Sequence, residues 1–193
     1  SADLGVRLLE GLGVIIREDP WAVTGAGVTP LLAGALAVPG WAPERVAAAR
    51  REDPTGWWDA YVARVAPPVL HAYLAHGVVL EPHLQNVLVG VAEDGTPAEA
   101  VFRDLEGTKL VAGRHDLSGL PPRVAEALTY DAERGWNRVV YCLMVNHLAE
   151  IAATVADTAE PAGPAREALL RSLWAAARER LAAYAAAHGR PGP

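Results

Sequence analysis

Cysteine is nearly absent from this chain: Cys142 is the only one in 193 residues. That excludes a disulfide scaffold and any four-cysteine zinc or iron–sulfur site built from this chain's own residues. Lysine is almost as scarce, with Lys109 alone among 17 basic residues. The net charge is -6 and the arginines are scattered, so the electrostatic footprint of a nucleic-acid binder is missing. Uninterrupted apolar stretches are also lacking. Gly, Pro or a charge breaks each one before the roughly 18 residues a membrane span needs. The opening Ser1-Ala2-Asp3 is acidic, and Arg7, Glu10 and Arg17 interrupt the apolar residues after it, so no signal-peptide pattern is read there. The expected location is cytoplasmic, with no membrane or nucleic-acid partner.

What is present is an ordinary globular composition. Hydrophobic residues make up 51% and charged residues 21% of the chain, too apolar and too weakly charged for disorder. Residues 4–16 form an apolar segment weakened as a helix by three glycines, and residues 20–40 read as a loop with a short apolar stretch. A short helix is predicted over 43–52, with Pro43 in its first turn. A longer one is predicted over 55–76, where Trp58, Tyr61, Val62, Val65, Val69 and Tyr73 recur at helical spacing. Pro67-Pro68 is expected to kink or split it, and Gly77 to stop it. Strand-like runs at 78–80, 87–92 and 98–103 surround Glu93-Asp94-Gly95-Thr96-Pro97, a hairpin signal. After a second loop the chain turns helical at 122–131, 135–157 and 164–187, before a frayed tail at 189–193. The fold class is therefore α+β: a small antiparallel sheet or hairpin packed by a C-terminal helical bundle. The division is a mixed part over 1–120 carrying the site and a helical part over 121–193.

Chemistry-bearing residues concentrate in Glu81-Pro82-His83-Leu84-Gln85-Asn86 and Arg103-Asp104-Leu105-Glu106-Gly107, at the open end of the hairpin. A loop centred on Gly95 pairs residues whose numbers sum to 190. Asn86 then faces Asp104, Leu88 faces Phe102, and Glu106 joins the same face. An amide and two carboxylates within about 5–7 Å would suit Mg²⁺ carrying a nucleotide's phosphates. A two-residue Asp94-Gly95 turn would instead pair Asn86 with Arg103 and reverse the faces. Pro97, which cannot donate to a ladder, favours the longer loop. A plain surface hairpin with solvated charges also satisfies the pattern. Away from this region, Trp57, Trp58 and Trp136 read as packing residues and Cys142 as an inert buried thiol. Asn146-His147 reads as satisfied core polar groups. Arg114 reads as a solvated loop charge, with a substrate carboxylate as its alternative partner, and Arg103 as more structural than catalytic.

Two families place such groups on a hairpin. A kinase sets an acidic base five residues before a metal-binding Asn, as Glu81 precedes Asn86, and an Asp on the next strand. The Gly-rich loop and strand lysine that a kinase needs upstream are missing. The second match is fuller. HGVVLEPHLQNVLVGVAEDGTPAEAVFRDLEG, residues 76–107, resembles the NRPS-independent siderophore synthetases of the IucA/IucC family and their FhuF-like C-terminal region. Gly77, Glu81, His83, Gln85, Asn86, Arg103, Asp104 and Gly107 fall in the family's order. Residues 12–20 are similar to its apolar run ending in Arg-Glu-Asn-Pro, with Asp19 in place of Asn. YCLMVNHLAEI, residues 141–151, is similar to its late helix.

The resemblance implies the C-terminal, palm- and thumb-like domain of an ATP- and Mg²⁺-dependent ligase. Such an enzyme adenylates a citrate-like carboxylate for condensation with an amine, hydroxylamine or alcohol. It implies that His83 acts on the nucleotide phosphates, that Gln85, Asn86, Asp104 and Glu106 surround the ATP, and that Asn86, Asp104 and Glu106 hold the metal. It also implies a homodimer, as is common in the family, and an N-terminal half supplying further phosphate contacts that nothing here matches. The expectation is that this chain alone has little or no ligase activity. A kinase-like phosphotransferase with Glu81 as base and a non-catalytic siderophore- or ligand-binding module are the alternatives. The FhuF-like ferric-siderophore reductases carry a terminal cysteine cluster, which Cys142 alone does not provide.

Overall fold

A computed structural model describes residues 16–160 and 162–188. The apolar segment expected from residue 4 and the tail from 189 lie outside the described residues, as do residues 12–15 of the N-terminal similarity. The fold is α+β, as read from the sequence. In chain order, strand β1 (Thr29–Leu32) leads directly into the short helix α1 (Ala33–Ala37). This corrects the reading of 20–40 as a loop: Thr29–Leu32 finds a partner strand too distant in sequence to leave a local signal. Helices α2 (Glu44–Glu52) and α3 (Pro54–His76) come after it.

Helix α3 is the axis of the core. It buries Trp57, Trp58, Tyr61, Val62, Val65, Ala66, Val69 and Leu70. Asp53 caps its start by accepting from the Gly56 N–H at 2.8 Å, Pro54 opens it, and Gly77 closes it in the left-handed conformation (φ 64°). The expected break at Pro67-Pro68 does not occur. The two prolines free the carbonyls of Ala63 and Arg64, and all four residues lie toward the less buried side, where water can serve those groups. The apolar side continues past them without interruption.

Strands β2 (Val78–Val79), β3 (Val87–Val91), β4 (Pro97–Phe102) and β5 (Lys109–Val111) come next, then helix α4 (Pro122–Leu128) and strand β6 (Thr129–Tyr130). One sheet has the order β1-β3-β4, all antiparallel. The other has the order β2-β5-β6, its β5–β6 pair parallel. The final helices are α5 (Ala132–Val140), α6 (Ala149–Ala159) and α7 (Gly163–His188). A π-helical segment, Tyr141–Leu148, joins α5 to α6 without a break. The continuous helix Ala132–Ala159 is long and apolar enough to cross a membrane by length and composition; 56% of its most apolar window is buried inside the fold. Helix α7 lies along α3: the Trp58 Nε1–H donates to the Leu173 carbonyl, and Arg180 pairs with Asp59.

The hairpin register differs from the one expected. Val87 faces Phe102 and Leu88 faces Val101, a sum of 189 rather than 190. The turn is Glu93-Asp94-Gly95, closed by the Ala92 N–H on the Thr96 carbonyl and by Asp94 accepting from the Thr96 N–H and hydroxyl. A bulge beside Gly90 and Val91 then slips the ladder by one residue. Asn86 consequently faces Arg103, whose N–H donates to the Asn86 carbonyl at 2.9 Å.

Candidate functional site

The connection between β2 and β3, residues 80–86, folds as two tight turns. The His83 N–H donates to the Glu81 carbonyl and the Asn86 N–H to the His83 carbonyl, both at 2.8 Å. The Asn86 side chain, 6% exposed with its residue, donates from Nδ2 to the Glu81 carbonyl at 3.1 Å. Its amide nitrogen is thereby committed to the loop, and Oδ1 accepts no hydrogen bond among the described residues. Arg103 grips the same loop from β4: Nε and Nη2 both donate to the Gln85 carbonyl, at 3.0 and 2.9 Å. The expectation that Arg103 is structural describes this clamp.

Asp104 leaves the strand. It is the single non-glycine residue with positive φ among those described (φ 64°, ψ 53°), and it precedes a short 3₁₀ turn, Leu105–Gly107. Asp tolerates this left-handed backbone better than most residues, still at a cost of about 1 kcal/mol or more. The conformation carries the carboxylate to the loop side rather than along the ladder, where Arg17 donates to Oδ1 at 3.2 Å. Arg17, Gln85, Asn86, Arg103 and Asp104 together line an open cleft of about 340 Å³.

The sequence-predicted residues thus divide. Gln85, Asn86 and Asp104 come together in the cleft, with Arg17 as an additional wall that the sequence reading missed. Glu106 is exposed on the 3₁₀ turn and does not line the cleft. The slipped register and the turn at Asp104 remove it from the face assigned to it. His83 also points elsewhere, into a second cluster against the π-helical segment. There its Nδ1 lies 3.2 Å from Asn146 Nδ2, and its Nε2 lies 3.4 Å from Cys142 Sγ and 3.9 Å from Glu81 Oε2. Arg138 Nε donates to Glu81 Oε1 at 2.7 Å. Gly107 stands against this carboxylate, and a Cβ there would meet Glu81 Oε2 at 3.1 Å. Arg138, Cys142 and Asn146 recur every four residues, a periodicity that marks one helix face in the sequence.

Behind His83, the buried His147 ring bridges Tyr61 and the loop. Its Nδ1 is 2.8 Å from the Pro82 carbonyl and its Nε2 is 2.6 Å from the Tyr61 hydroxyl. The carbonyl can only accept, so Nδ1 carries the proton and Nε2 accepts from Tyr61. Burial pushes His147 down to about 4 and raises the Tyr61 phenol above its ordinary range. The reading of His147 as a satisfied core residue describes it well, whereas Asn146 faces His83. The Cys142 thiol is pushed up to about 11 by burial and stays protonated near neutrality. Arg114 does not reach the site: it stays exposed, as read from the sequence, and donates to the Leu74 and Ala75 carbonyls at the end of α3.

Among the described residues, no three His, Cys, Asp or Glu side chains converge to hold a metal ion. The cleft instead offers one carboxylate, of Asp104, and the carboxamides of Gln85 and Asn86. That donor set suits Mg²⁺ only when phosphate oxygens and water complete the shell.

Residues 55–193 match the family model described as "Ferric iron reductase FhuF-like transporter". The L-2,3-diaminopropanoate–citrate ligase of Staphylococcus aureus (strain NCTC 8325 / PS 47) is 33% identical over 105 residues, covering 53% of this chain and 18% of that protein. The petrobactin biosynthesis protein AsbB of Bacillus anthracis (strain Sterne) has a similar fold: TM-score 0.72, 18% identity, over 91% of this chain and 31% of that one. The ATP-bound aerobactin synthetase IucA of Klebsiella pneumoniae is similar at TM-score 0.56 and 23% identity, over 79% of this chain and 26% of that one. The chain therefore spans between 18% and 31% of the length of these relatives.

Proposed function

The chain belongs to the FhuF-like family, the C-terminal region of the NRPS-independent siderophore synthetases, and from that premise we propose that it forms the nucleotide-holding part of a carboxylate–amine ligase. The observation that carries this reading is the cleft itself. Asn86 and Asp104, on opposite arms of the hairpin, are brought to one opening by a strained backbone and an arginine clamp. Strain of this kind persists where surrounding structure over-determines it, and it clusters at ligand sites.

In this reading ATP binds across the cleft and Mg²⁺ neutralises its phosphates. Asn86 Oδ1 and the Asp104 carboxylate hold the metal, Gln85 and Arg17 face the nucleotide, and Arg103 keeps Gln85 and Asn86 in register with Asp104. His83 lies outside the cleft lining, in the cluster with Glu81, and would meet a phosphate that reaches past the cleft and displaces the Cys142 sulfur from Nε2. Glu106 is left outside the set. A citrate-like carboxylate oxygen attacks the α-phosphorus and pyrophosphate leaves. An amine, hydroxylamine or alcohol then attacks the acyl carbon, releasing AMP. The carboxylate is already nucleophilic, so positioning and charge neutralisation supply most of the rate. Further phosphate contacts come from the rest of the synthetase, which works in the cytoplasm, where ATP is at hand. A kinase-like role for Glu81 is less well supported, because its carboxylate is engaged by Arg138 and lies outside the cleft.

Calorimetric titration of Mg²⁺–ATP into the chain tests the assignment, alongside Asp104→Asn. The wild type is expected to bind and the variant to lose at least tenfold in affinity. In the complete synthetase, citrate-dependent release of pyrophosphate rather than ADP is expected. Equal binding by both proteins, or ADP as product, would contradict the reading. Binding without any citrate-dependent turnover of the complete protein would favour a ligand-binding module.

A further inference from the structure

His83 has both ring nitrogens engaged by side chains of the π-helical segment Tyr141–Leu148, from positions four apart in sequence. In an α-helix residues four apart are offset around the axis. The wider winding of an i→i+5 helix brings Cys142 and Asn146 nearly into line, so both meet one imidazole. The same segment turns the next residue, His147, inward to hold Pro82, the residue before His83. The loop backbone and the ring are thus fixed by adjacent side chains.

The two contacts are chemically unequal. The carboxamide nitrogen of Asn146 can only donate, so Nδ1 of His83 must accept and the ring proton must sit on Nε2. The surroundings of Nε2 agree with this. Glu81 Oε2 lies 3.9 Å away, so a lone pair on Nε2 would face a carboxylate whereas an N–H is attracted to it. Its nearest acceptor, the Cys142 sulfur, is a weak one. The Nε2–H is therefore the least satisfied donor in the cluster, on a side chain still 21% exposed.

We propose that Asn146 is a positioning residue that sets the tautomer of His83, so that a neutral imidazole presents Nε2–H as a donor held, among the described residues, only by a thiol. An anionic oxygen would readily replace that sulfur. The opposite tautomer would present a lone pair to the same anion. The tautomer stands on the geometry alone; its use toward a nucleotide phosphate rests on the function proposed above.

Long-range ¹H–¹⁵N correlation of the histidine rings, recorded at about pH 8.5 where imidazoles are neutral, tests the assignment. Wild-type His83 is expected to carry its proton on Nε2. Asn146→Asp replaces the donor with an acceptor-only group and is expected to move the proton to Nδ1. Asn146→Leu, which can do neither, is expected to shift the signals toward those of a free imidazole. His147, fixed as the Nδ1–H form by Pro82, serves in each variant as the control that the fold is intact. A wild-type His83 protonated on Nδ1 would overturn the proposal, as would unchanged His83 signals in a folded Asn146→Asp or Asn146→Leu protein. Mg²⁺–ATP affinity is the separate arm, expected to fall at least tenfold in Asn146→Asp. Should His83 respond as expected while the wild type binds no nucleotide, the positioning role stands and the nucleotide reading fails.

Discussion

His147 is the residue whose ionisation most directly opposes folding. Buried at 0% exposure, it is held near 4 in the folded protein against about 6.5 when unfolded. Above pH 6.5 the ring is neutral in both states and costs nothing. As pH falls from 6.5 toward 4 the unfolded chain takes up a proton that the folded chain refuses, and stability declines. Below about 4 both states are protonated and the loss levels off, at up to about 3 kcal/mol. Denaturant unfolding from pH 7 to 4 should show this decline, and His147→Gln should flatten it at the expense of stability at pH 7. An equally steep decline in the variant would place the effect elsewhere. Asp104 poses the opposite trade. Asp104→Gly relieves the left-handed backbone and is expected to raise stability by about 0.5–1 kcal/mol while abolishing nucleotide binding. A lower melting temperature in that variant would mean that the carboxylate's pairing with Arg17 outweighs the strain.

At the scale of elements, the hairpin decides which residues share the cleft, and its turn decides the hairpin. Gly95 adopts φ 88°, and a Cβ there would lie 2.2 Å from the Arg45 carbonyl oxygen. Its own carbonyl accepts from Trp57 Nε1 at 2.9 Å, tying the turn to the helical core. Gly95→Ala is therefore expected to cost about 2–4 kcal/mol and to disturb the Asn86–Arg103 register, read as lost protection of the Arg103 amide in hydrogen exchange. Full protection in the variant would contradict this. Strands β2 to β4 and the turn residues were legible from sequence because β-branched runs, Gly and Pro mark them; β1 and β5, read as loop, and β6, read as the end of a helix, were not, because their partners lie far away in the sequence. The one-residue slip was not either, because the bulge adds Ala98 to β4 opposite the Gly90–Val91 step, and nothing in PAEAVF marks the extra residue. Likewise 3.6-residue periodicity located the helix through 135–157 but not its π-helical segment. A π turn adds a residue without changing the apolar character of the run.

In the whole molecule, helix α3 and the π-bearing helix form a frame on which two loops are pinned. The core half of that frame was readable from apolar spacing, and Gln85, Asn86 and Asp104 were readable as a cluster from their motif. Arg17 was missed and Glu106 misplaced for a different reason. One reaches Asp104 across 87 positions, and the other depends on a single left-handed residue. Side-chain destinations of this kind are set by tertiary packing, to which local pattern is blind. Arg50 shows the same dependence. Buried at 1% exposure, it stacks over Trp57 and donates to the Leu36 carbonyl, while Nε and Nη2 find no partner among the described residues. Nothing in the structure explains those two unmet donors.

The central claim is that one metal–nucleotide site lies between Asn86 and Asp104. Titrating Mn²⁺–ATP into the ¹⁵N-labelled chain locates that site directly, since a paramagnetic ion broadens only nearby signals. The account predicts early loss of the Asn86 side-chain amide and the Asp104 and Leu105 backbone amides, with the signals of α7 untouched and the effect absent in Asp104→Asn. Broadening centred elsewhere, or none at saturating nucleotide, would contradict it.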